Sequence, residues 1–146
     1  MPLAERRADV TWKGDLRQGT GMVTPRSGAF ADYPVTWASR TESSDGKTSP
    51  EELLASAHAS CFAMALANAI SQSGTAPEEL RVSAVCTLDR VDGAVKITRM
   101  DINVGALVPG MDDAAFRSAV QQAEQGCPVS NALRNNVEIT VSATKL

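Results

Sequence analysis

The order of elements in this sequence predicts an α+β fold, with antiparallel sheets wrapped around one long buried helix. Two observations carry that expectation. The stretch Ser49–Gly74, SPEELLASAHASCFAMALANAISQSG, reads as a single helix, apolar or small nearly all round. Alternating segments separated by turn signals lie on both sides of it, the mark of hairpins. The chain has 146 residues, 43% of them hydrophobic, which suits a single domain over 1–146 with its own core.

The elements follow in order. Val10 and Trp12 alternate as far as the Gly14-Asp15 turn, and Leu16 to Thr24 returns, so Ala8 to Pro25 reads as a hairpin loosened by Gly19 and Gly21. Val35, Trp37 and Ser39 alternate again and predict a third strand over Pro34–Arg40, with Arg40 near its end. Ser43–Lys47 is a polar loop. In the long helix Ser49 fits the N-cap, Pro50 fits N1 and Glu52 at N3 completes a capping box, while Gly74 is the stop. Leu80 to Val91 alternates, with Leu80, Val82, Ala84, Cys86 and Leu88 on one face. Asp92-Gly93 turns it into Ala94–Val108, and a phase slip near Met100–Asp101 predicts a bulge. Asp112 or Asp113 caps a helix through Phe116, Val120 and Ala123 that ends before Gly126. Cys127-Pro128 opens a short helical turn, and Val137–Thr144 alternates as a last strand.

Charge and composition narrow the function. The net charge is −3 with no basic run, which speaks against nucleic acid as a partner. The opening MPLAERRADV lacks the apolar core of a signal peptide. His58, Asn68 and the Glu51-Glu52 pair interrupt the long helix, so a cytoplasmic protein with no membrane partner is expected. Three cysteines without a CxxC argue against a structural disulfide framework. With one histidine and no clustered ligand spacing, no metal and no cofactor are expected.

Of the cysteines, Cys86 reads as a strand residue on the core face. Cys127 is placed differently, between Gly126 and Pro128 at a helix stop and a helix start. The N–H groups of a helix start lower a nearby thiol's pKa, and the glycine lets the cysteine move, as a resolving cysteine must. Cys61 lies mid-helix among apolar neighbours, where a thiol is ordinarily a small hydrophobe. Desolvation raises its pKa above the free value of about 8.5. Lowering it by about two units takes roughly 2.7 kcal/mol of preference for the thiolate, which one shielded arginine can supply. Arg40, just ahead of the loop into the helix, is the candidate.

Six stretches taken together resemble the OsmC/Ohr family of osmotically inducible and organic hydroperoxide resistance proteins, and its OsmC branch in particular. They are Trp12–Asp15, Ser39-Arg40, Ser49–Leu66, Leu88–Gly93, Val108–Asp112 and Gly126–Ser130. The resemblance implies a thiol-dependent organic hydroperoxide reductase, with Cys61 peroxidatic, Cys127 resolving, and Arg40 and Glu51 completing the site. It also implies a dithiol reductant, a lipoylated protein ahead of thioredoxin. The apolar surroundings of Cys61, with Phe62, Met64 and Leu66, favour an alkyl or lipid-derived peroxide.

Helix geometry adds a prediction of assembly. Glu51 and Cys61 are ten residues apart on one helix, about 15 Å along its axis, and Glu51 leans away from Cys61. If both serve one site, Glu51 comes from a second chain and holds Arg40 by a charge-assisted pair. The expected assembly is an intertwined homodimer with two sites at its interface. His58, one turn before Cys61, makes a Cys–His dyad for acyl transfer conceivable, though no oxyanion or third-residue signal accompanies it. A packing or hydrogen-bonding role suits it better. A competing class is a non-catalytic, stress-induced binding protein for an apolar ligand, with Cys61 merely packed. Such a protein needs no Cys127 at a hinge, whereas a disulfide cycle does.

Overall fold

Three short strands and a five-residue helix form the first of two units in the computed structural model, which describes residues 1–146. This unit covers Met1–Leu53, and the second covers Leu54–Leu146. In the first, β1 (Ala8–Lys13) and β2 (Thr20–Pro25) form the expected hairpin, paired from Ala8↔Pro25 to Lys13↔Thr20. β3 (Tyr33–Val35) adds antiparallel to β2. Gly21 does more than loosen its strand, because a Cβ there would lie 2.8 Å from Trp12 Cε3 and 2.9 Å from Val35 Cγ1. Only glycine lets the Trp12 ring cross its partner strand at that point.

The predicted strand over Pro34–Arg40 is corrected. It ends at Val35, and Trp37–Thr41 is a short helix, α1. Thr36 and Ser39 cap each other reciprocally, with Ser39 N–H donating to Thr36 Oγ1 and Thr36 N–H to Ser39 Oγ. A capping box outweighs alternation over so few residues. The buried Ser39 hydroxyl also donates to the Thr48 carbonyl at 2.8 Å, which ties α1 to the residue before the next N-cap.

The long helix, α2 (Pro50–Gln72), starts as its caps predict, with Glu52 N–H donating to Ser49 Oγ at 3.1 Å. It is long and apolar enough to cross a membrane, as core helices of globular folds also are. Within the second unit it presents His58, Phe62, Leu66 and Ile70 to the core at helical spacing. Ala57, Ser60, Met64 and Asn68 face outward, and Met64 is 68% exposed. The expectation of burial all round therefore holds for one face only. Most outward residues are small, and small side chains lose little by staying in water.

The core of the second unit closes over a three-stranded sheet, β4 (Glu79–Val91), β5 (Ala94–Leu107) and β6 (Glu138–Lys145), in the order β4-β5-β6. β4 and β5 pair antiparallel through the Asp92-Gly93 turn. The bulge falls at Thr98, two residues to the turn side of the predicted slip, since Thr87 pairs with Arg99 and Leu88 with Ile97. β6 runs parallel to β5, not antiparallel as expected. The intervening helices α3 (Asp113–Gly126) and α4 (Pro128–Leu133) supply the crossover that a parallel pair requires. Asp112 caps α3, accepting from Ala115 N–H at 2.8 Å. Because Leu66 is fully buried in this core, Leu66→Ala is expected to lower unfolding free energy by about 2–5 kcal/mol. Chemical denaturation measures it, and a loss under about 1 kcal/mol would contradict burial of that helix face.

Candidate active site

The four residues singled out by sequence form two pairs, one in each unit. In the second unit, Cys61 on α2 and Cys127 at the α3–α4 junction bring their sulfurs to 3.3 Å. Cys127 is at once the C-cap of α3 and the N-cap of α4. Its N–H donates to Ala123 O, its carbonyl accepts from Asn131 N–H, and Pro128 follows at N1. Chain direction thus changes at the cysteine itself. Both thiols are unbridged, Cys127 fully buried and Cys61 partly so. A disulfide needs about 2.05 Å between sulfurs, so closure takes a shift of roughly 1.2 Å.

The electrostatics of Cys61 begin with burial, which pushes its thiol above the ordinary value, and the neighbouring Cys127 pushes the same way. The backbone N–H of Val129 works against them, favouring the thiolate. Sequence reasoning assigned the start of this short helix to Cys127, but its Val129 amide serves Cys61. No signal could have found Val129, because a backbone donor leaves no mark in side-chain pattern. No cation of the second unit is among the groups acting on Cys61.

The cation candidate is in the first unit. Arg40 lies on α1, not at a strand end, and is paired with Glu51 of α2's first turn. Its Nε donates to Glu51 Oε1 at 3.0 Å and Oε2 at 3.2 Å, and Nη2 donates to Oε1 at 2.8 Å. This side-on fork leaves Nη1 for another acceptor. Trp37 underlies the guanidinium, its ring centre 5.9 Å from Arg40 Cζ. The Glu51 side chain is 9% exposed and Arg40 30%, so the acid is shut in by its partner and the arginine keeps an open side. The expected charge-assisted Arg40–Glu51 pair is present, formed within one chain rather than between two. The polar loop after α1 turns the chain back within eleven residues. Arg40 also faces an apolar cavity of about 450 Å³ within this unit, walled by Val10, Trp12, Val35, Trp37 and Leu53.

His58 is fully buried with Nε2 2.7 Å from Ser130 Oγ, and burial depresses its pKa. This is the hydrogen-bonding role expected of it. Cys86 packs on the core from β4. No group of three or more His, Cys, Asp or Glu side chains is placed to hold a metal ion.

Residues 43–142 match the family of OsmC-like proteins. The chain belongs to that family. It is 37% identical over 136 residues to the peroxiredoxin OsmC of Escherichia coli K12, covering 93% of each chain. It is 32% identical over 96 residues to an organic hydroperoxide resistance protein of Xanthomonas axonopodis pv. citri, covering 65% of this chain and 66% of that one. In fold it is similar to the organic hydroperoxide resistance protein OhrB of Bacillus subtilis, with a TM-score of 0.75 over 94% of this chain and 98% of that one at 24% identity. The matched span contains Glu51, Cys61 and Cys127, while Arg40 lies just outside it.

Proposed function

We propose that this OsmC-like protein is a thiol-dependent peroxidase that reduces organic hydroperoxides to alcohols. One observation carries the reading: two thiols 3.3 Å apart, one of them at a helix junction. The relatives' names, peroxiredoxin and organic hydroperoxide resistance protein, support the reaction class. The Cys61 thiolate attacks the outer peroxide oxygen, the O–O bond breaks, and the alkoxide leaves as the alcohol with a proton. Cys61 becomes a sulfenic acid. Cys127 then condenses with it to a disulfide and releases water, and an external dithiol reduces that bond by exchange. The reductant is a lipoylated protein, as the family resemblance implies. An apolar cavity beside Arg40 suits an alkyl or lipid-derived peroxide.

The active species is a homodimer. Burial raises the Cys61 thiol, so the thiolate needs a cation, and a second copy brings the Arg40–Glu51 pair to it. Met64 on the outward face of α2, 68% exposed, is the one large apolar side chain there that a partner would cover.

Mass spectrometry after one equivalent of cumene hydroperoxide tests the reading. A loss of two hydrogens and a Cys61–Cys127 cross-linked peptide are expected. An unchanged mass, or oxidation scattered over methionines, would favour a protein that only binds apolar ligands.

A further inference from the structure

A polar bridge beside the sulfurs has no part in the chemistry above. His58 lies one helical turn before Cys61 on α2, and Ser130 lies one turn after Cys127 on α4. Both are fully buried, with His58 Nε2 2.7 Å from Ser130 Oγ. The contacts therefore run from 58 to 130 and from 61 to 127, so the two helical turns lie antiparallel. Between Cys127 and Ser130 the chain passes Val129, whose backbone N–H favours the Cys61 thiolate.

α4 has six residues, too few to be stable without anchoring contacts. A buried side-chain hydrogen bond is such an anchor, because breaking it strands two desolvated polar groups. His58 is already short of one partner, as Nδ1 is buried with none. Releasing Nε2 as well would leave the whole imidazole unsatisfied in the core.

We propose that the His58–Ser130 hydrogen bond is a clamp that holds the first turn of α4 against α2, keeping Cys127 within reach of Cys61. The two residues are positioning residues and touch no reacting atom. The inference rests on the peroxidatic and resolving roles proposed above. In the resolving step the Cys127 sulfur attacks the Cys61 sulfenic sulfur. The S–S bond forms, the S–O bond breaks, and the hydroxyl departs with the thiol proton as water. While Cys61 waits as a sulfenic acid, a second peroxide can drive it to sulfinic acid. The share of each fate therefore reports how well the clamp presents Cys127.

The test follows the full-length protein after cumene hydroperoxide, comparing wild type with Ser130→Ala, Ser130→Thr and His58→Gln. Disulfide closure in Ser130→Ala is expected to slow about tenfold, with sulfinic acid at Cys61 appearing at correspondingly lower peroxide. Ser130→Thr, which keeps the hydroxyl, restores closure. A loss of packing alone would lower thermal stability and leave the partition between disulfide and sulfinic acid unmoved. Should Ser130→Ala fail to fold, His58→Gln gives the same comparison. Closure at the wild-type rate with unchanged sulfinic acid yield overturns the clamp alone. Absence of a Cys61–Cys127 bond in wild type overturns the peroxidase reading together with it.

Discussion

Cys61→Ser is expected to abolish peroxide reduction, a fall of about a thousandfold or more, because a serine hydroxyl supplies no nucleophile at neutral pH. Cys127→Ser is expected to leave the first turnover intact and stop those that follow. Cys61 then stays a sulfenic acid and advances to sulfinic acid with excess peroxide. The two outcomes differ because the thiols differ in position. Cys61 is partly accessible, whereas Cys127, 3.3 Å away, is fully buried. A peroxide can reach the first and not the second. Single-turnover consumption of cumene hydroperoxide by each variant decides the assignment. A burst retained by Cys61→Ser and lost by Cys127→Ser would reverse the roles.

How much of this was legible in the sequence follows from how local each signal is. The caps of α2 and α3 depend on residues within one turn, and Ser49 and Asp112 sit where their side chains accept the first amides. The cysteine pair was legible for a different reason. A thiol between glycine and proline marks a junction between helices, and motif resemblance supplied its partner sixty-six residues away. Arg40 was misplaced because Val35, Trp37 and Ser39 satisfy strand alternation over a span that a capping box also claims. The direction of β6 was not readable at all, since a strand's own pattern is the same in either direction and only the crossover through α3 and α4 sets it. The outward face of α2 misled for a compositional reason: alanine counts as apolar yet contributes little by burial. The partner of Ser130 is not readable from the sequence, because hydroxyls in helical turns are common and only packing brings His58 to it.

Arg40→Ala is the second substitution with a large expected effect, and its pH dependence is the sharper measurement. Burial and Cys127 hold the Cys61 thiol above its ordinary value, and one backbone amide works against them. A raised pKa keeps sulfur protonated to higher pH, so at neutral pH the nucleophilic thiolate is the minor form. In the homodimer proposed above, Arg40 reverses this by favouring the thiolate, and its open Nη1 can donate to the departing oxygen. Removing it is expected to slow the first step about 10- to 100-fold at neutral pH. Its rate should then climb with pH, about tenfold per unit until the thiol ionises, while the wild-type rate is nearly flat over that range. Recovery at high pH is partial, because the lost donor to the leaving oxygen does not return. Stopped-flow oxidation across neutral to alkaline pH separates the cases. A variant with a flat profile at the wild-type rate would mean that Cys61 ionises without Arg40, leaving the Val129 amide and a solvent-facing edge as its support. A variant uniformly slow at every pH would confine Arg40 to orienting the peroxide. Only a slope that appears when the guanidinium is removed links that charge to the sulfur.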